Sequence, residues 1–126
     1  MKTYKPTTPS RRHMTTIEYR KLLSGNRSKK SLTKGFRRGS GRNAFGRITM
    51  RHKGGGVKRS FRMVDFKLDK FNVPGTVKTI EYDPNRSGFI SLISYLDGEY
   101  RYILAPKDLK VGQQIVTAED APVIMG

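Results

Sequence analysis

The sequence contains no cysteine. A disulfide framework and a zinc knuckle are therefore both out of reach, and the zinc-based nucleic-acid modules go with them. Acid is scarce in the first part of the chain: residues 1–70 hold only Glu18, Asp65 and Asp69 against 21 of the 26 Lys and Arg. Long apolar runs are missing too. The longest apolar-rich stretch, Phe89 to Leu96, is far too short to cross a bilayer, and Met1-Lys2-Thr3-Tyr4-Lys5-Pro6 has no apolar segment of a secretory signal. The chain is accordingly read as neither secreted nor membrane-spanning, and the sequons Asn26-Arg27-Ser28 and Asn85-Arg86-Ser87 as chance matches. No glycine cluster ends in Gly-Lys-Ser/Thr, so there is no P-loop to cradle a nucleotide. Gly39-Ser40-Gly41-Arg42-Asn43-Ala44 loosely fits a dinucleotide fingerprint, but no apolar strand precedes it and no helical pattern follows.

What is present is charge, placed on one side. Residues 1–70 carry about +18 and residues 71–126 about −2. Such an excess works against folding, because like charges repel in a compact state, but it attracts a phosphate backbone and releases its condensed counterions. A nucleic acid is the partner this implies. With 126 residues the chain is long enough for one domain, and if its basic part is extended only the rest can close a small core.

Residues 1–14, with Pro6, Pro9, Arg11 and Arg12 among Thr and Ser, lack the apolar content to order without a partner. Thr15-Thr16-Ile17-Glu18 fits a helix capping box, and Gly25 suits the end of a short helix. From Gly25 to Gly41 the chain is cationic, glycine-rich and nearly coreless, and is expected to order against its ligand. Strands are expected at Phe45 to Arg51, at Val57 to Phe66 with Phe61 and Met63 on one face, at Thr76 to Tyr82, at Gly88 to Leu96, at Glu99 to Leu104 and at Gln113 to Thr117. Gly54-Gly55-Gly56 links the first two, and Asp97-Gly98 is a strong hairpin signal between the fourth and fifth. Short strands at roughly ten-residue spacing predict an all-β fold: a small OB-like antiparallel barrel over 42–118 behind a basic arm over 1–41. An SH3-like barrel is the nearest competitor. No internal repeat at a fixed period is present.

The densest cluster with chemical meaning runs from Gly41 to Arg59. Cations alternate there with glycines whose backbone amides can approach phosphate oxygens, and arginine binds such oxygens bidentately. With no acid to neutralise it, the cluster reads as a phosphate clamp rather than a solvated basic hairpin. The spacing alone does not separate RNA from DNA. Catalysis has little to work with. His13 and His52 stand among cations, which suits nucleic-acid contact better than metal ligation. The carboxylate pairs Asp65/Asp69 and Glu81/Asp83 lie at strand ends beside Arg and Lys, where salt bridges and turn caps are the usual role and Mg²⁺ binding by a nuclease the rarer one. Tyr82, Phe89, Tyr95, Tyr100 and Tyr102 sit among aliphatic residues and read as barrel filling. Phe36 and Phe45 stand alone among Arg, Lys and Gly, where a ring can stack on an unpaired base.

The runs Lys30-Ser31-Leu32-Thr33-Lys34, Gly41-Arg42-Asn43, Gly46-Arg47-Ile48-Thr49, Arg51-His52-Lys53-Gly54-Gly55-Gly56, Asp65-Phe66-Lys67, Ile80 to Ser87 and Arg101 to Pro106 resemble, in order, the N-terminal half of the universal large-subunit ribosomal protein L2 family in its bacterial-type form. The resemblance implies a structural rRNA binder with a basic arm and an OB-like barrel. It also implies roles in subunit association and in assembly of the peptidyl-transferase region, where RNA performs the chemistry. Its partners would be large-subunit rRNA and neighbouring ribosomal proteins, with no membrane and no small-molecule substrate. No cofactor of its own is implied, Mg²⁺ of the RNA being a possible bridge, and the location would be a cytoplasmic ribosome, with an organellar ribosome as the alternative. The chain departs from the pattern at Val57, where the family usually has His. Residues 119–126 read as the start of a linker to the family's C-terminal SH3-like domain and its glycine- and histidine-rich extension, which this sequence does not contain.

The candidate RNA-binding residues are Arg11, Arg12, Lys29, Lys30, Lys34, Arg37, Arg38, Arg42, Asn43, Arg47, Arg51, His52, Lys53, Gly54, Gly55, Gly56, Lys58, Arg59, Arg62, Lys67, Asn85, Arg86 and Ser87. No residue is a candidate for catalysis or for a metal. The residues by themselves also admit a free-standing OB-type binder of transfer RNA or single strands. A long cationic arm favours burial in folded RNA, whereas a free OB module usually reads its ligand on a compact sheet face.

Overall fold

A computed structural model describes residues 1–25, 27–36 and 39–119. The β-branched and aromatic segments of the second half pair into a four-stranded antiparallel sheet that curls as a half-barrel: β5 (Gly75–Glu81), β6 (Ile90–Tyr95), β7 (Tyr100–Leu104) and β8 (Gln114–Ile115), in the spatial order β7-β6-β5-β8. The fold is all-β and OB-like. Asp97-Gly98 makes the expected β6–β7 hairpin: Gly98 adopts φ +84°, which a glycine takes without a Cβ clash, and the Asp97 carboxylate accepts from the Glu99 amide at 3.1 Å.

Both faces of this sheet carry a core, because β6 is buried along nearly its whole length. Val77, Ile93, Tyr95 and Ile103 form one cluster, against which Val73, Ile80, Leu109 and Ile115 pack; Ile90, Leu92 and Tyr102 form the other, covered by Leu32, Val64 and Tyr100. A register shift between Val77 and Thr79 explains how β5 serves both. One slipped residue exchanges the faces, so Val77 joins the first cluster while Thr79 and Glu81 turn toward the second. Gly75 is required at the start of β5, since a Cβ there would lie 2.5 Å from the Ile93 side chain and 3.1 Å from the Tyr95 ring.

The first half of the chain departs from the expected arm. Lys2–Thr3 (β1) pairs with Thr15–Thr16 (β2), and Tyr4 hydrogen-bonds Thr16 at 3.0 Å. The β-branched threonines thus take extended geometry instead of capping a helix. The only α-helix among the described residues, α1 (Tyr19–Leu22), starts later, with Glu18 at its N-cap and no side-chain cap bond. A 3₁₀ turn (Lys30–Leu32) leads into β3 (Thr33–Phe36), which pairs with β4 (Arg59–Arg62). The boundary expected between 41 and 42 therefore falls inside the β3–β4 connection. Residues 120–126, which carry most of the expected linker, lie outside the described residues.

Two strand expectations change. Phe45 to Arg51 is a compact loop touched only by an isolated Arg42–Ile48 bridge, because Asn43 and Gly41 draw the local hydrogen bonds to themselves. The strand expected at Val57 to Phe66 is confined to β4, where Phe61 is exposed. Tyr82, expected inside the barrel, is half-exposed just beyond the end of β5, its ring edge-on to Tyr19 at 5.6 Å. No helix among the described residues is long and apolar enough to cross a membrane.

Candidate nucleic-acid interface

Sequence places the cations, and a small set of hydrogen bonds shapes the loop that presents them. The Gly41 carbonyl accepts from the Thr49 amide at 2.8 Å, the Met50 amide at 3.1 Å and the Thr49 hydroxyl at 3.2 Å. Inside that ring, Asn43 Oδ1 accepts the amides of Phe45 and Arg47, both at 3.0 Å, and the Asn43 amide donates back to the Arg47 carbonyl. Gly41 sits at φ +69°, and a Cβ there would approach the Met50 carbonyl to 2.5 Å and Lys53 Cβ to 2.9 Å. Only glycine closes this loop without displacing backbone. Asn43, a candidate ligand, is thereby a framework residue of the loop: its side-chain oxygen is already engaged.

Every residue from Arg42 to Lys58 is exposed. Arg42, Arg47, Arg51, His52, Lys53 and Lys58 thus share one solvent-facing loop system, with His52 at a strained φ of +58° at its turn. Two grooves border it. One is lined by Gly35, Phe36, Gly55, Gly56, Val57 and Lys58, the other by Phe36, Gly39, Gly41, Arg42, Lys53 and Gly54, so Gly54-Gly55-Gly56 offers backbone beside cations at both. Val57 is exposed and itself brings no hydrogen-bonding side chain to this rim. Phe45, Ile48 and Met50 are also exposed, apolar among cations.

The loop system is fixed to the sheet through the segment in front of β3. The Lys29 amide donates to the Tyr102 hydroxyl at 2.9 Å, that hydroxyl donates to Glu81 at 2.9 Å, and Thr79 donates to the other Glu81 oxygen at 2.8 Å. Burial, together with the Glu81 acceptor and against the Lys29 amide, pushes the Tyr102 hydroxyl up to about 12. Met63 and Asp65 extend the attachment, their amides donating to the carbonyls of Leu32 and Tyr102. The Lys29 ammonium lies over the Tyr100 ring.

The other candidates divide. Lys34 and Arg59 lie on the β3–β4 ribbon beside Phe36 and Phe61, and Lys30 and Lys67 are exposed near it in sequence. Arg62 turns inward: Nη1 donates to the Ser60 carbonyl at 2.9 Å, and its buried Nε has no hydrogen-bond partner. Arg86 is held by the fully buried Asp83 at 2.6 Å, while the Asn85 side chain donates to Ser60 and Asp83. Asn85 thus ties the turn to β4 while Arg86 pairs within it, and Ser87 is exposed beside them. Arg11 and Arg12 lie exposed in a turn, Arg11 5.5 Å from the Tyr4 ring. Arg37 and Arg38 lie outside the described residues.

Carboxylates are consumed elsewhere. Arg101 binds Asp65 and Glu99, each at 2.7 Å, and also Asp69; Lys70 binds Glu99 at 2.5 Å and also Asp97. Burial raises the Asp65 carboxyl, but hydrogen bonds from Arg101 and from the Leu68 and Lys67 amides bring it below its usual value. Asp65 and Asp69 thus take the salt-bridge role expected of carboxylates at strand ends, with Arg101 as their partner. Among the described residues no group of three or more His, Asp or Glu is placed to hold a metal ion. Over residues 29–117 the sequence matches a family model described as Ribosomal Proteins L2, RNA binding N-terminal domain.

Proposed function

Because the chain belongs to the ribosomal protein L2 family through that RNA-binding N-terminal domain, and so is an rRNA-binding protein of the large subunit, we propose that its Gly41–Arg59 segment is a phosphate clamp that stabilises folded rRNA and supports subunit assembly. The observation that carries the reading is a prefolded, fully exposed loop with no acid anywhere between Glu18 and Asp65. Arg42, Arg47, Arg51 and Lys53 take phosphate oxygens by charge-assisted hydrogen bonds, and the amides of Gly54 to Gly56 add donors where no side chain blocks approach. Because Gly41 and Asn43 hold the loop before RNA arrives, less ordering is left for the moment of binding. Arg11, Arg12, Lys29, Lys30, Lys34 and Lys67 extend the positive surface around the clamp. The role is positional: nothing is cleaved or transferred, and Mg²⁺ brought by the RNA can bridge phosphates next to the protein without a resident cofactor.

Sucrose-gradient sedimentation of cell extract tests the assembly role. Cosedimentation with large subunits after a high-salt wash is the expected result; release into the light fractions, with transfer RNA or single strands retained instead, would replace this reading by that of a free OB-type binder.

A further inference from the structure

On a two-stranded ribbon, residues directly opposite each other project to the same face, as do alternate residues along each strand. β3 and β4 pair Phe36 with Arg59 and Lys34 with Phe61. Lys34, Phe36, Arg59 and Phe61 therefore share one face, in which two rings alternate with two cations. The rings are 45% and 41% exposed, with centroids 6.4 Å apart and planes tilted by 35°. They are not needed to attach the ribbon to the barrel, since Leu32 and Val64 already do that. Phe36 also lines both glycine-walled grooves.

We propose that this ribbon face is a stacking platform for an unpaired nucleobase, with Lys34 and Arg59 taking the phosphates that flank it. The inference rests on the RNA-binding reading and names what the ribbon part of that surface selects. An apolar peptide would suit two exposed rings but not an acid-free cationic surround; a π face joined to phosphates suits both. Within a duplex the faces of the bases are covered by their neighbours, so only an extruded or looped-out base offers its face to Phe36 and Phe61. Aromatic stacking of this kind tolerates any base, so the platform selects local RNA structure rather than sequence.

The chain has no tryptophan, which makes Phe36→Trp a unique fluorescent reporter and Leu96→Trp, at an exposed position beside the Asp97-Gly98 turn, its control. Two RNA hairpins are compared, identical except for one bulged adenosine. The wild-type chain should bind the bulged hairpin about tenfold more tightly. The Phe36→Trp emission should be quenched at saturation by the bulged hairpin and much less by the plain one, while Leu96→Trp responds to neither. Phe61→Ala should abolish the preference and leave affinity for the plain hairpin unchanged, with its melting curve confirming the fold. Equal wild-type affinity for the two hairpins, or a preference that survives in both Phe36→Ala and Phe61→Ala, would overturn the platform. Failure of the wild-type chain to bind either hairpin or a large-subunit rRNA transcript would instead overturn the RNA-binding reading beneath it.

Discussion

The sheet formed by β5 to β8 and the segment from Lys29 to Val64 handle charge and apolar surface in opposite ways. In the sheet, Val77, Ile90, Ile93 and Tyr102 are fully buried, and the nearby cations Lys70, Arg86 and Arg101 are each matched to carboxylates. In the basic segment there is no carboxylate at all, and Phe45, Ile48, Met50 and Val57 stand in solvent. The difference teaches that the charge excess is a property of one surface, not an average over the molecule. Neutralising the acids around Lys70 and Arg101 leaves the loop cations to act on an external polyanion, and the loop keeps its shape through backbone and Asn43 hydrogen bonds instead of a core.

Salt should break the comparison most strongly. If about eight cations contact phosphates, affinity for a large-subunit rRNA fragment should fall with a log–log slope of about −6 to −7, or some three to four orders of magnitude between 50 and 200 mM salt, whereas the melting temperature should change little. Filter binding across a salt series beside thermal melts reads both. A slope shallower than about −2 would mean that the basic segment serves solubility.

Next in size is the core. Ile93→Ala removes a fully buried side chain of the sheet and should cost about 2–5 kcal/mol of stability in urea denaturation, through lost burial and a residual cavity, with RNA affinity reduced only in proportion to unfolding. Replacing Arg47 and Arg51 together by Ala should do the reverse. Affinity should weaken by about 1–3 kcal/mol for each lost charge-assisted contact, and the melt should stay in place because both side chains are exposed. Unchanged affinity in the folded double variant would remove this loop from the interface.

The smallest predicted effect concerns the join between the two regions. Tyr102, whose hydroxyl is pushed up to about 12 by burial and by Glu81, stays protonated in the folded chain after the unfolded chain has lost its proton near pH 10. Below pH 10 both states hold the proton and the group adds no pH dependence. Between pH 10 and 12 stability should fall by about 2 kcal/mol as the unfolded state is favoured. Urea midpoints across that range measure the slope, and Tyr102→Phe should remove this component.

The sequence by itself determined the all-β class, the β5, β6 and β7 strands with their Asp97-Gly98 turn, and the position of the cationic cluster. Those follow from local pattern, since period-two and apolar runs bounded by turn residues select strands, and net charge is additive along the chain. Tertiary structure alone decided which residues of that cluster face outward. Asn85 and Arg86 stood among the candidate RNA ligands, and the fold brings Ser60 to Asn85 and Asp83 to Arg86. Pairing of β3 with β4, more than twenty residues apart, set the face that Phe61 shares with Phe36. The segment from Phe45 to Arg51 read as a strand because its β-branched and aromatic residues suit one, and no local rule reveals that Gly41 and Asn43 take up the hydrogen bonds a strand would need. Which partner a hydrogen-bonding group finds depends on what the folded chain brings beside it, and that is a property of the whole fold.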